Sequence, residues 1–149
     1  MMIIILHSHE DRKKCSLSPI RDLPQFTYFP DTKFTLPEKA LILHPDGPPL
    51  DHNDRDRDLV LIDATWKYHQ RIMNREPVLA TFEQRSIEGF TTVFPRKDRA
   101  GKSHPTNYLA SIEVIIATGL ILQRSEYTDV IKYYHFGEEF LSVNKIELE

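Results

Sequence analysis

The sequence predicts an α/β fold in which a largely parallel β-sheet is flanked by helices. Short, continuous apolar runs rich in β-branched residues occupy 2–6, 40–43 and 59–62, as is typical of strands that are covered on both faces. Segments of helical periodicity lie between and after these runs. Because strands that alternate with helices favour parallel pairing, these observations together predict the fold class.

The remaining elements are assigned from weaker patterns. Residues 26–29 could form a short edge strand, and 90–94 form a fourth strand candidate that is stopped by Pro95. Residues 65–75 predict an amphipathic helix with Trp66, His69 or Gln70, and Met73 on one side. Two further helices are predicted at the end of the chain: an apolar one over 107–124, and one over 125–141 that is broken near Gly137.

Length and composition predict one domain over residues 1–149. The chain is 40% hydrophobic and 28% charged, and a chain of this length buries enough surface for one core. The sequence has no run of 18 apolar residues, so we expect no membrane partner. A single cysteine, Cys15, excludes an internal disulfide and suits a reducing compartment, which predicts a cytoplasmic location. The oligomeric state is not readable from the sequence.

Basic residues are concentrated in two patches, although the net charge of the chain is −3. One patch follows the first predicted strand and the other crowds the loop after Pro95; they comprise Arg12, Lys13 and Lys14, and Arg96, Lys97, Arg99 and Lys102. A weakly acidic protein with local basic patches can hold a few phosphate groups, although ordinary solvated loops have a similar composition.

The sharpest local motif is the end of the run 59–62, where Asp63 follows a buried strand. Thr65 could cap the helix that begins at Trp66. Ligands of open α/β sheets lie beyond the carboxyl ends of the strands, next to helix N-termini. Asp63 could therefore pair with a ligand cation and Trp66 could pack against it, unless the two residues only cap the helix and fill the core.

A second cluster of polar residues follows the run 40–43. Its histidines and aspartates could bind a metal ion together with residues after the first strand; the candidates are His7, His9, His44, Asp46 and His52. Their spacing matches no metal signature, and proline-rich loops often carry such residues as turn formers. We therefore predict no metal site, and metal-dependent hydrolysis stays an alternative.

Six segments, in order from residue 11 to 144, resemble motifs of the small-subunit rRNA aminocarboxypropyltransferases. They are 11–16 (DRKKCS), 43–45 (LHP), 50–54 (LDHND), 62–66 (IDATW), 109–113 (LASIE) and 135–144 (HFGEEFLSVN). The fourth is equally similar to the Asp-Thr-Trp signature of the related tRNA-uridine aminocarboxypropyltransferases. The chain departs from the family pattern at His44 and Ala64, which stand in place of serine and cysteine, and in the loop after residue 90.

The resemblance implies a SPOUT-like fold with a C-terminal knot, and S-adenosylmethionine as cofactor. Such enzymes transfer the 3-amino-3-carboxypropyl group to a ring nitrogen of uridine or pseudouridine in rRNA, during ribosome biogenesis, or in tRNA. Asp63 would be catalytic, either holding the ammonium of the transferred arm or accepting the ring proton. The cofactor contacts would be Ser16, Leu43, Pro45, Ile62, Trp66, Ile87, Asn107, Tyr108 and Ser111.

RNA is the partner that this interpretation implies, and the two basic patches would contact its backbone. The target base must be flipped or single-stranded, because its ring nitrogen is hidden in a duplex. Three alternatives stay open: a methyltransferase on the same kind of fold, a metal-dependent hydrolase, and a non-catalytic RNA-binding module.

Overall fold

A computed structural model of the protein describes residues 1–7, 16–95 and 109–148. Five strands form one sheet in the order β2-β1-β4-β3-β5, and every neighbouring pair is parallel. The strands are β1 (Met2–Leu6), β2 (Phe26–Pro30), β3 (Leu41–Leu43), β4 (Leu59–Asp63) and β5 (Glu83–Arg85). The predicted parallel α/β fold is therefore confirmed, as are the strands expected near 2–6, 26–29, 40–43 and 59–62.

Helices cover both faces of the sheet. They are α1 (Trp66–Arg75), α2 (Ser111–Leu122), α3 (Ser125–Thr128) and α4 (Gly137–Val143), with 3₁₀ turns at Ser18–Ile20, His52–Asp54, Pro77–Thr81 and Asp129–Tyr133. Within the described ranges, no helix combines the length and the apolar character that a membrane crossing requires.

The alternation of side chains along the central strands divides the core into two layers. Leu59 and Leu61 of β4 face α2 and the C-terminal helices, whereas Val60 and Ile62 face α1 and the turn Pro77–Thr81. All five residues of β4 are buried, because this strand lies in the middle of the sheet. This explains why its sequence is a continuous apolar run.

The predicted helix over 125–141 is wrong as a single element. The chain instead forms α3, the 3₁₀ turn Asp129–Tyr133 and then α4, which starts at the predicted break, Gly137. A Cβ at Gly137 would lie 2.9 Å from the Ile131 carbonyl oxygen, so the close approach of these two segments requires glycine. Helix α2 ends at Leu122 because Gln123 adopts a left-handed conformation, with φ 55°.

The strand predicted at 90–94 is also wrong. This segment is irregular, and its backbone bonds to side chains instead of to a neighbouring strand: Thr91 pairs with Asn144, and the Val93 N–H donates to Glu113. Strand β5 was not predicted, since its residues Glu-Gln-Arg carry no apolar pattern. It forms because it pairs with β3 at the edge of the sheet.

Candidate active site at the carboxyl edge of the sheet

One buried polar residue ends or follows each strand at the carboxyl edge of the sheet. In strand order across the sheet they are Asp31, His7, Asp63, His44 and Ser86. The connection from β1 leads outward to β2, whereas the connection from β4 leads through α1 in the opposite direction to β5. The crevice between the ends of β1 and β4 is therefore a topological switch point, where open α/β sheets bind their ligands.

Asp63 lies at this switch point and its side chain is directed to the α2 side of the sheet. The residue is paired in register with Leu6 of β1, and it is 5% exposed. The Ser111 hydroxyl donates a hydrogen bond to Asp63 Oδ1 at 2.5 Å. Because Ser111 is the first residue of α2, the carboxylate also faces the positive end of that helix dipole.

A second hydroxyl, that of Ser16, caps the N-terminal end of the same helix. Ser16 Oγ accepts a hydrogen bond from the backbone N–H of Ile112 at 3.1 Å, which satisfies one of the donors that a helix N-terminus leaves open. The structure thus brings together three residues that the resemblance assigned to the site, Ser16, Asp63 and Ser111.

The start of α2 is fixed by Glu113, a fully buried carboxylate that sequence reasoning did not single out. Its oxygens accept four hydrogen bonds, from the N–H groups of Ala110 (2.8 Å) and Val93 (2.9 Å) and from the hydroxyls of Thr92 (2.5 Å) and Tyr134 (3.1 Å). A glutamate at the third position of a helix, reaching back to the capping residue's N–H, is half of a capping box, and this spacing could have revealed it. Glu113 therefore connects the segment before residue 95 to α2, the helix whose first residue, Ser111, is hydrogen-bonded to Asp63.

The loop after β3 is joined to the end of β5. The Ser86 N–H donates to Pro48 O (2.9 Å), the Leu50 N–H to Ser86 O (2.8 Å), and the His44 N–H to Arg85 O (2.8 Å). A Cβ at Gly47 would lie 2.5 Å from the carbonyl carbon of Gln84, so only glycine permits this approach. These contacts connect the segment that carries the predicted cofactor residues Leu43 and Pro45 to the segment that carries Ile87, which follows Ser86.

The histidines lie on the other side of the sheet, against α1. His44 makes an edge contact with His69 of α1, with ring centroids 5.0 Å apart, and His7 stacks on Tyr68 at 4.1 Å. Burial lowers the pKa of His44, although Asp46 opposes this shift. Burial, with a smaller contribution from His44, lowers the pKa of His69 to about 4, so His69 is neutral at pH 7.

Within the described ranges, no three His, Cys, Asp or Glu residues are grouped so that they could hold a metal ion. His44 and Asp46 are close, since the Asp46 N–H donates to His44 Nδ1 at 3.0 Å, but this contact shapes the turn. His9 lies outside the described residues.

The other predicted site residues are placed as follows. Ile62 is buried with its side chain in the core under α1, and Trp66 is the first residue of α1. Thr65 occupies the capping position, but its side chain makes no capping hydrogen bond. The predicted RNA and cofactor contacts that fall outside the described residues are Arg12, Lys13, Lys14, Arg96, Lys97, Arg99, Lys102, Asn107 and Tyr108.

The parallel five-stranded sheet with helices on both faces defines an α/β fold, and polar residues lie at its switch point. Among solved structures, it is similar to the SAM-dependent rRNA:acp-transferase Tsr3 from Vulcanisaeta distributa, with a TM-score of 0.73 and 22% sequence identity. The superposition covers 97% of this chain and 78% of the other. No protein-family model matches the chain, and no curated protein matches it significantly.

Proposed function

We propose that this protein transfers the 3-amino-3-carboxypropyl group of S-adenosylmethionine to a ring nitrogen of uridine or pseudouridine in RNA, most simply in small-subunit rRNA. The observation that carries the proposal is Asp63, held by Ser111 at the switch point. The similarity of the fold to a SAM-dependent rRNA:acp-transferase supports it, and so do the six sequence segments. A SPOUT-like class, a C-terminal knot and a cytoplasmic location belong to the same proposal.

The residues present fit such a cofactor. Leu43, Pro45 and Ile87, which lie on two segments joined by backbone hydrogen bonds, are the proposed contacts of the adenosyl group, and the hydroxyls of Ser16 and Ser111 lie at the start of α2. Ile62, Trp66, Asn107 and Tyr108 are the further proposed contacts. When bound, the cofactor would supply an electrophilic carbon next to its sulfonium.

Asp63 can contribute in either of two ways. The ring nitrogen of uridine must lose its proton before it attacks, and Asp63 could accept that proton. Alternatively, its carboxylate could hold the ammonium of the arm and so orient the carbon that reacts. Both roles need the carboxylate fixed at the edge of the sheet, and the hydrogen bond from Ser111 fixes it. The basic patches at 12–14 and 96–102 would hold the RNA backbone around an unpaired base.

The test measures cofactor binding by calorimetry and the mass of the RNA product. We expect S-adenosylmethionine to bind the parent protein, and Trp66→Ala to weaken that binding. Transfer adds about 101 Da to the nucleoside and methylation about 14 Da, because the enzyme selects which carbon meets the nitrogen. No cofactor binding at millimolar concentration would refute the proposal, and binding of RNA alone would indicate a non-catalytic module.

Asp63→Asn separates the two roles of the carboxylate. We expect it to lower the transfer rate by about 100-fold or more, the effect of removing a placed acid–base group. An unchanged cofactor affinity would assign Asp63 to the proton, and a weakened one would assign it to the ammonium. Asp22→Asn, at an exposed carboxylate before β2, is the matched control and should retain full activity.

A further inference from the structure

Helix α1 concentrates positive charge beside the candidate site. It contains Lys67, Arg71 and Arg75 and neither Asp nor Glu, in a chain whose net charge is −3. The three cations follow one another at a spacing of four residues, so they lie along one side of the helix. The helix begins three residues after Asp63, and its N-terminal end is therefore at the carboxyl edge of the sheet.

The first two cations differ from the third in their partners. The Arg75 guanidinium donates to Asp31 O at 2.7 Å and lies 3.2 Å from a Glu76 carboxylate oxygen, so its charge is compensated. Lys67 and Arg71 are exposed and form no ion pair within the described ranges. The Arg71 guanidinium packs over the Tyr68 ring at 5.3 Å, which orients it without neutralising it.

This arrangement is unfavourable for the helix itself. Cations in the first turn are repelled by the positive end of the helix dipole, and like charges four residues apart repel each other. Lys67 violates the first rule, and its spacing to Arg71 violates the second. Since local charge rules are most often broken at functional positions, the pattern points to an anionic ligand on this surface.

We propose that Lys67 and Arg71, the basic face of α1, bind backbone phosphates of the RNA substrate and orient it toward Asp63. This inference rests on the proposed function and adds residues other than those of the two basic patches predicted from the sequence. Charge complementarity favours a polyanion, since Lys67 and Arg71 are about 5–6 Å apart at their Cβ atoms and could contact successive phosphates. The stacked rings of Tyr68 and His7 link this surface to the end of β1.

The decisive variant is Lys67→Glu, because it should move stability and RNA binding in opposite directions. Glutamate in the first turn is favourable for the helix dipole, and it can pair with Arg71 four residues on. We therefore expect an unchanged or raised Tm. Affinity for a fluorescein-labelled oligouridylate, measured by anisotropy, should fall at least about 5-fold at 0.1 M salt, the effect of about one lost phosphate contact.

Two further variants complete the design. Arg71→Gln should lower the RNA affinity by about 5-fold and reduce the slope of log K against log salt by about 0.7. Lys39→Glu, an equal change of charge at an exposed residue before β3, should change the affinity by less than about 2-fold, since it is remote and screened. Calorimetry with S-adenosylmethionine should give the parent affinity for all three variants.

Two outcomes would overturn the inference. If Lys67→Glu and Arg71→Gln bind RNA with the affinity and salt slope of the parent, α1 is not part of the RNA-binding surface. The proposed function is not affected by that result. Binding of the parent to phosphatidylglycerol vesicles but not to RNA would assign the basic face to a membrane surface instead. Failure of the parent to bind the cofactor would be a separate result, which refutes the proposed function and not the charge of this face.

Discussion

The two faces of the sheet are built on similar apolar strands but are covered by helices of opposite character. Helix α2 is apolar around most of its circumference. Its first turn is held by the Glu113 carboxylate, which accepts four hydrogen bonds. Helix α1 is buried on one side, at Ile72 and His69, and exposes cations on the other. The comparison indicates that the α2 face anchors the candidate site through buried hydrogen bonds, whereas the α1 face exposes charge to solvent.

The largest effect on stability should follow from Glu113→Gln on the α2 face. One carboxylate oxygen would become an NH₂ group that points at buried donors, and hydrogen bonds to a charged group contribute about 1.5–3 kcal/mol each. We expect the free energy of unfolding in urea to fall by about 3 kcal/mol, together with the cofactor affinity. Glu138→Gln, at an exposed residue of α4, is the control. A loss of under about 1 kcal/mol would show that Glu113 is not the anchor of α2.

Acidification should lower the stability of the folded protein through His69, which is a buried residue of α1. Its pKa is about 4 in the folded protein, whereas the ordinary pKa of a solvated histidine is 6.5, so the unfolded chain binds more protons between these values. Stability is therefore complete above about pH 6.5 and falls as the pH drops toward 4, by about 3 kcal/mol at most. The neighbouring groups that influence this titration are His44 and Asp46.

Urea unfolding at several pH values between 4 and 7.5 tests this prediction. His69→Phe should unfold with a smaller pH dependence than the parent over this range, because the titrating group is gone. If the parent and the variant lose stability in parallel on acidification, the buried histidine is not the cause.

The smallest effect is expected at Tyr127, under the α2 face. Its side chain is fully buried, and its hydroxyl has no hydrogen-bond partner among the described residues; burial raises its pKa to about 12. Tyr127→Phe removes an unsatisfied polar group and retains the ring that the Arg124 guanidinium covers at 4.6 Å. The Tm should be unchanged or should rise, by an amount that corresponds to a gain of up to about 1 kcal/mol in the free energy of unfolding. A clear decrease would reveal a partner for the hydroxyl.

The sequence was sufficient for the features that follow from periodicity. Strands such as 59–62 and the amphipathic helix α1 are visible because burial imposes an apolar pattern on them. β5 could not be predicted, since an edge strand of charged residues is formed by pairing with β3. The error at 90–94 has a related cause: its backbone partners are the side chains of Glu113 and Asn144, which are distant in the sequence.

The grouping of residues at the candidate site was predictable to a similar extent. Asp63 was found from its place after a buried strand, and the motif resemblance added Ser16 and Ser111, which the fold brings to the same helix end. Local spacing could have revealed the bond from the Ala110 N–H to Glu113, but not the bonds from Thr92, Val93 and Tyr134, which are distant in the sequence. The contact between His44 and His69 was missed for the same reason, because it joins a loop to a helix across the sequence.

The close approach at Gly47 has a practical consequence for mutagenesis of the loop that carries the proposed cofactor contacts Leu43 and Pro45. The turn that carries Pro45 is pressed against the Gln84 backbone, so even a methyl group at position 47 would lift it away. A mutant library over residues 43–50 should therefore hold this glycine constant and randomise the solvent-facing Pro45 and Asp46. Libraries that vary position 47 would be enriched in misfolded clones, whatever ligand is used for selection.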